Sequence, residues 1–269
     1  MRVVALLAVY NEERFISGCL AHLIRQGLSV YLIDNASTDR TVAIAERYAK
    51  RGLVGIETMP RDGVYRWKSI LERKEHLAAT LDGDWFLHVD ADEIRLPPRS
   101  TSTLAGALAD VDAAGYNAVN FLEFAFVPTR EQPDHDHPKY LETMRWYYPF
   151  LPWHPSRLNA WKRQPNRVDL ASSGGHAVHF PGLRMYPESF RMRHYLFLSA
   201  AHALEKWGRR VFDREEVASG WHAWRAKLGS SSITLPSQSE LYEYISDDEL
   251  NPSNPRTRHI LDRLPDPGA

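Results

Sequence analysis

The stretch Trp85-Phe86-Leu87-His88-Val89-Asp90-Ala91-Asp92-Glu93 decides the reading of this chain. An apolar run ends abruptly in three acids. The pattern predicts a buried strand that delivers carboxylates to the carboxyl edge of a sheet. Ligands of open α/β sheets bind at that edge. Carboxylates packed this closely repel one another unless a cation or a hydrogen-bond network compensates. A hard divalent cation, held by one or two carboxylates and substrate phosphates, is one such compensation. A solvated acidic turn is the simpler alternative.

The residues before this stretch alternate. Arg2 to Val9 is an apolar strand, and Phe15, Ile16, Leu20, Leu23 and Ile24 follow at helical spacing until Gly27. A short strand, Val30 to Ile33, ends in Asp34-Asn35-Ala36-Ser37-Thr38-Asp39. Ser37 or Thr38 is expected to cap a helix over roughly 39–50. A strand near 53–58, a helix over 65–81 and the strand 84–90 complete a β-α-β-α-β-α-β order. Right-handed crossovers then give a parallel, doubly wound sheet.

The residues after it are less regular. Pro97-Pro98 precedes a helix near 100–114 and a strand near 117–126. Residues 127–155 read as a loop rich in Pro, His and aromatics, and an ordered loop of this length is usually functional. Strand-like pieces recur near 157–163 and 176–180. Residues 197–212 read as one helix with Leu198, Ala201, Leu204 and Val211 on one face. The tail beyond about 229 is polar and reads as a lid or an arm. The expected division is 1–228 as one domain, with 1–95 binding nucleotide and 96–228 binding acceptor and metal, and 229–269 as a C-terminal extension.

Composition sets outer limits. The 269 residues are 43% apolar, enough for a sizeable core, and the net charge of −1 provides no field to recruit nucleic acid. The one cysteine, Cys19, excludes an internal disulfide and reads as a small core residue. No leader is visible, and no apolar run approaches the ~20 residues that span a bilayer. The expectation is a cytoplasmic protein with no transmembrane segment, for which peripheral membrane contact remains open.

Three segments resemble a known family. Val9-Tyr10-Asn11-Glu12-Glu13, Asp34 to Asp39, and Asp90-Ala91-Asp92-Glu93 occur in the order and spacing of family 2-like glycosyltransferases with the GT-A fold. Arg193-His194-Tyr195, Ser199 and Lys206 resemble a later pattern of a related branch. The resemblance implies a Rossmann-like, doubly wound mixed β-sheet flanked by helices, with a C-terminal helical extension. It also implies a nucleotide-sugar donor, a UDP-sugar by default, with Mn²⁺ or Mg²⁺, and a small-molecule or glycan acceptor that receives the sugar on a hydroxyl or an amine.

It further implies roles. Val9, Tyr10, Asn11 and Glu12 lie against the nucleotide, although Glu12 and Glu13 also suit a helix start. Asp34 accepts a hydrogen bond from base or ribose. Asp90 and Ala91 lie near the ribose, and Asp92 binds the metal. Glu93 is a supporting residue or holds an acceptor hydroxyl. His194 is the second metal ligand, and imidazole suits Mn²⁺ better than Mg²⁺. Lys206 and Arg210, four apart, reach the phosphates or form a cationic helix end. Arg61 with Asp62 lines the donor pocket or a polar loop. Lys74 with Arg73 lies beneath the nucleotide or on a solvated helix face.

An inverting transfer needs a group that takes the acceptor hydroxyl's proton. Asp169, in an expected acceptor-side loop before Ser172-Ser173-Gly174-Gly175, is the preferred candidate; Glu123 and His176 are the alternatives. Trp146, Tyr147, Tyr148, Trp153 and Trp161 stack on sugars or fill the core. Asp134, His135, Asp136 and His137 resemble a metal cluster only superficially. Two other classes remain: a nucleotidyltransferase, disfavoured because Tyr10-Asn11-Glu12-Glu13 replaces a glycine-rich basic loop, and a non-catalytic nucleotide-sugar or carbohydrate-binding protein.

Overall fold

The alternation at the N-terminus folds as its pattern demands. The computed structural model describes residues 1–208, 210–226 and 233–263. Strand β1 (Val3–Val9) sends Val3, Ala5, Leu7 and Val9 to one face of a sheet, and Val4 and Leu6 to the other. Both faces are covered, which is why the strand reads as a continuous apolar run. Helix α1 (Ile16–Arg25) packs Ile16, Cys19, Leu20 and Leu23 on the first face. It ends as Gly27, at φ 83°, donates to Ile24 and Leu28 donates to Leu23. Only a left-handed residue closes a helix in this way, and glycine adopts that conformation without strain.

Strands β2 (Ser29–Asp34), β3 (Leu53–Thr58) and β4 (Trp85–Asp90) join β1 in the order β3-β2-β1-β4, all parallel. Helix α2 (Thr41–Ala45) connects β2 to β3, and α3 (Trp67–Thr80) packs Leu71, Leu77 and Ala78 on the second face. The chain leaves β1 toward β2 and later returns to its opposite side as β4. This switch point opens a crevice at the carboxyl edge, where Ala8 pairs with Asp90.

The remainder builds a mixed sheet onto β4. The added elements are β5 (Glu93–Leu96), α4 (Leu104–Ala113), β6 (Ala118–Phe126), α5 (Tyr140–Thr143), β7 (Trp146–Phe150), β8 (Leu158–Lys162) and β9 (Phe190–Tyr195). Short helices α6 (Ala200–Ala203), α7 (Arg214–Ala218) and α8 (Ala223–Ala226) follow, then β10 (Tyr242–Glu243). Strand β8 runs antiparallel to β4 and to the start of β6. The later part of β6 pairs with β7 antiparallel and with β9 parallel. Strand β5 turns back along β9 and sets Glu93 opposite His194. That register brings residues a hundred positions apart to one edge.

Several expectations need correction. Neither Ser37 nor Thr38 caps α2; Asp39 accepts from Thr41 N–H, while Ser37 accepts from Asn11 N–H and Thr38 donates its N–H to Asn11 Oδ1. The helix over 39–50 is α2 followed by one 3₁₀ turn, 46–48. The long loop contains β7, and residues 176–180 make only isolated bridges. The helix over 197–212 is α6 and a π-helical turn over 204–208, with Val211 exposed. Strands β5 and β9 were not anticipated. Part of the tail, 229–232 and 264–269, lies outside the described residues. Residues 233–263 pack back on the domain, with β10 beside β7 and Leu261 buried against Phe150 and Trp207.

Candidate active site

The crevice is a cleft of about 470 Å³. That volume falls in the range of small-molecule sites, roughly 300–1,000 Å³. Its floor is Ala8, Val9, Tyr10, Glu12, Asp90, Ala91 and Asp92, from the ends of β1 and β4. Asn11 adopts φ 55°, a conformation Asn tolerates because its side chain bonds locally, here accepting from Thr38 N–H at 2.7 Å. This twist ties the β1 turn to the β2 turn. Glu12 N–H donates to Thr41 Oγ1 in the same clasp.

One end of the cleft is backed by stacked groups. The Arg61 guanidinium lies 3.7 Å from the Tyr10 ring centroid and donates to Asn35 Oδ1. Asp34 accepts from Ser37 N–H, so its carboxylate is rigidly aimed. Asn11, Asp34 and Arg61 stand behind the lining and not in it, whereas Asn35 lines the cleft. Lys74 is fully buried beneath the floor, which removes the solvated-face alternative. It donates to His88 Nδ1 at 2.8 Å and to Val89 O. Burial pushes its pKa down to about 8. Its neighbour Arg73 instead forks onto Glu57 at the surface of α3.

The acidic turn is held from behind. Glu93 accepts from Asp90 N–H and from two nitrogens of buried Arg95. Glu93 therefore fixes the shape of the turn. Asp90 stays raised above the ordinary carboxylate range, by burial first and by Glu93 and Asp92 beside it.

A line of polar contacts crosses the cleft from here. Lys206 Nζ lies 2.7 Å from Asp92 Oδ2 and 3.7 Å from Glu12 Oε1. His194 Nε2 lies 3.5 Å from the same Asp92 oxygen, and its Nδ1 lies 2.6 Å from Glu123 Oε1. Glu123 Oε2 accepts from Arg157, whose other terminal nitrogen donates to His176 Nδ1 at 2.6 Å. Burial opposes the charge on His194, but Asp92 and Glu123 outweigh it and raise the pKa to about 10. Burial likewise opposes the charges on Asp92 and Glu123; Lys206 and His194 hold the first well below the usual range, and Arg157 and His194 the second. Glu12 is raised to about 7 by burial, against the pull of Lys206.

Two members of this line, Asp92 and His194, are of the residue types that ligate metals. His194 Nε2 faces Asp92 Oδ2 at 3.5 Å while Glu123 holds Nδ1, so a cation between the two would take the place of the Nε2 proton and of Lys206 on Asp92. A carboxylate behind a ligating imidazole is the usual second layer of such a site. Among the described residues no group of three His, Cys, Asp or Glu side chains could hold a metal, so a cation held by Asp92 and His194 would need substrate oxygens or water to complete its sphere. Asp134, His135, Asp136 and His137 are not such a group. His135 is buried against Thr143, and Asp136 pairs with Arg14.

The three candidates for the base separate. Asp169 is exposed, accepts from Ser172 N–H and does not line the cleft. Its loop runs into the cleft only at Ser173-Gly174-Gly175-His176. Glu123 is buried and committed to Arg157 and His194. His176 does line the cleft, but arginine only donates, so Nδ1 accepts and the neutral ring carries its proton on Nε2. In this arrangement His176 is a hydrogen-bond donor. Gly175, at φ 87°, lets this loop press on the floor: a Cβ there would lie 3.2 Å from His88 Nε2.

Of the aromatics, Tyr147, Tyr148 and Trp161 are buried core, while Trp153 is 51% exposed and meets His176 edge-on. Sequence reasoning missed Arg157, Arg225 and the wall Thr257-Arg258-His259, all lining the cleft. None sits in a periodic segment. Arg157 carried a weak signal as a lone charge between Pro155 and the strand 158–162. Among the described residues no helix is long and apolar enough to cross a membrane.

A switch-point cleft in a parallel sheet, walled on its far side by a mixed sheet, is the architecture of the GT-A glycosyltransferases. Within that class the chain belongs to glycosyl transferase family 2, whose sequence model matches residues 5–152. It is 31% identical over 93 residues to the glucosyl-3-phosphoglycerate synthase of Petrotoga mobilis, a match covering 32% of this chain and 26% of that one. The chain thus spans about a quarter of that relative. Among solved structures it is similar to S. aureus TarS, with TM-score 0.44 and 14% identity, covering 72% of this chain and 37% of that one. It is also similar to the Mycobacterium tuberculosis glucosyl-3-phosphoglycerate synthase solved with Mn²⁺, UDP and phosphoglyceric acid, with TM-score 0.31 and 18% identity, covering 45% and 43%.

Proposed function

We propose that this chain transfers a sugar from a nucleoside diphosphate, UDP by preference, to an acceptor hydroxyl by direct displacement with inversion, with Mn²⁺ favoured over Mg²⁺. The observation that carries the reading is the contact line Lys206–Asp92–His194–Glu123 at the switch point. A nucleotidyltransferase would bring a glycine-rich basic loop to β1, where Tyr10, Asn11 and Glu12 stand. A sugar-binding protein would have no use for an imidazole oriented by Glu123 beside Asp92.

The residues divide the work. Tyr10, backed by Arg61, offers its ring to the base, and Asp34 or Asn35 accepts a base or ribose hydrogen. A uracil N–H suits such an acceptor, because a carboxylate retains lone pairs after one backbone bond. Asp92 and His194 would hold the cation, which supplies charge neutralisation on the departing diphosphate. Lys206 and Arg210 reach the same oxygens; Arg210 Nε is buried without a hydrogen-bond partner among the described residues. Most of the acceleration then comes from positioning and from stabilising the leaving group. Asp90 and Asp262 are cleft carboxylates whose side chains make no hydrogen bond or ion pair with a described residue, and the proton acceptor belongs to that pair. An Asp262→Asn variant that transfers normally would leave Asp90.

Calorimetry with UDP, GDP, dTDP and CDP, each with and without Mn²⁺, tests the donor reading. Metal-dependent binding of UDP alone is the expected result. Binding of none of them by folded protein would overturn it. The product's anomeric configuration, read by NMR, decides inversion.

A further inference from the structure

Helix α3 starts without a cap of its own. Arg66 holds the N-cap position with no side-chain bond, Lys68 follows in the first turn, and no acid stands there. Cations at a helix N-terminus oppose its dipole, and the first N–H groups need acceptors from elsewhere. Glu216 of α7 supplies them. Its Oε2 accepts from Trp67 N–H at 3.1 Å, and its Oε1 accepts from Lys68 N–H at 2.7 Å. Glu216 is buried, and the same Oε2 lies 2.8 Å from His222 Nε2.

The segment that brings Glu216 there, residues 210–222, is a strap along the cleft. Phe212, Gly220, Trp221 and His222 line the cleft from it. Tyr65 N–H donates to Val211 O, and Asp213 N–H donates to Tyr65 O, so the strap holds both backbone groups of a residue just before α3. Asp213 then caps α7 by accepting from Glu215 N–H and Glu216 N–H. His222 stacks on Phe212 with ring centroids 4.6 Å apart, which closes the strap on itself. At its beginning the Arg210 guanidinium lies 4.7 Å from the Tyr65 ring centroid and 5.8 Å from that of Tyr10. The place of Arg210 in the cleft therefore follows from the place of the strap.

A carboxylate that takes two N–H groups and meets an imidazole is a firm fastening, because bonds to an ionised acceptor are short and strong. We infer that Glu216 is a positioning residue for donor binding: by fastening residues 210–222 to the start of α3, it holds Arg210 against Tyr65 and Tyr10 for the donor's diphosphate. A guanidinium already in place loses little freedom when the diphosphate arrives, and one on a loose strap loses more. Glu216 touches no substrate and acts through Arg210. The inference rests on the glycosyltransferase reading and deepens its donor site.

The test is a double-mutant cycle on UDP affinity, measured by calorimetry in the presence of Mn²⁺. Arg210→Ala should weaken UDP binding about tenfold or more, as a charged contact to the diphosphate is lost. Glu216→Gln keeps the shape of the side chain but accepts for only one of the two N–H groups, and should weaken UDP binding about fivefold. The double variant should bind no more weakly than Arg210→Ala alone. A general loss of helix stability would act alike in both backgrounds, so it cannot imitate that result. Losses that multiply, or unchanged UDP affinity in either single variant, overturn the inference while the UDP reading stands. Should Glu216→Gln fail to fold, His222→Phe takes its place in the cycle with the same outcome expected: it keeps the stack on Phe212 and removes Nε2 from Glu216. Failure of UDP to bind the wild-type protein overturns the glycosyltransferase reading and this inference with it.

Discussion

The two halves of the molecule build their functional groups differently. In residues 1–95 each group comes from the end of one strand or the turn after it: Tyr10 after β1, Asp34 closing β2, Asp90 closing β4. In the second half the groups come from β6, an irregular loop, β9, a π-helical turn and the returning segment near 258. They meet only because β9 lies between β5 and β6. A strand-end site is local, so its chemistry is written in consecutive residues. A networked site depends on partners far apart in sequence, so one substitution in it disturbs several functions.

Four substitutions sharpen that contrast. Asp92→Asn belongs to the strand-end class and should cut transfer by about 10²-fold or more, since it removes a charge acting on the leaving group. Stability should also fall, by roughly 3–5 kcal/mol, because the buried Lys206 and His194 lose the carboxylate they share. Near-normal turnover would break the assignment.

Glu123→Gln belongs to the networked class and should do two things together. Apparent Mn²⁺ affinity should fall about 10–100-fold as His194 loses its orienting carboxylate. Stability should fall by roughly 3–5 kcal/mol, because Arg157 is left as an uncompensated buried charge. Denaturant unfolding beside a metal titration reads both. Lost stability with an unchanged metal titration would make the network purely structural.

Lys74 gives a pH signature. Its folded pKa of about 8 lies below its unfolded value, so the unfolded chain binds more protons between pH 8 and about 10.5. Stability should therefore rise with pH through that window, by roughly 3 kcal/mol at most from this group. Lys74→Met should flatten the rise in melting temperature. A slope unchanged by the substitution would mean that Lys74 is not buried as described.

Asp169→Asn should change transfer less than about twofold, because the side chain makes only a loop turn outside the cleft. A large loss of transfer with donor binding intact would return the base to this loop.

The same contrast explains what was legible. The parallel half could be read because apolar periodicity and acidic strand ends are properties of consecutive residues. Asp90, Asp92 and Asp34 were singled out that way and His194 through a family resemblance; the cleft lining includes Asp90, Asp92 and His194 but not Asp34. Strand β9, Phe-Arg-Met-Arg-His-Tyr, alternates basic and apolar residues and was passed over because its arginines are neutralised by Asp247 and Asp248, far along the chain. Glu123 was a candidate base because burial of a carboxylate shows in its apolar strand, while its pairing with Arg157 and His194 does not. The 229–269 tail looked detachable because it is polar, yet Tyr148 and Phe150 give His259, Ile260 and Leu261 a seat.

The central claim is that Asp92 and His194 together hold a divalent cation against a nucleoside diphosphate. Electron paramagnetic resonance of Mn²⁺ measures it directly, because the sharp signal of free Mn²⁺ falls on binding. With UDP present, the wild-type protein should remove that signal at near one equivalent. Asp92→Asn and His194→Ala should each leave most of it. Removal of the signal by both variants as fully as by wild type, or UDP bound equally tightly without Mn²⁺, would contradict the account.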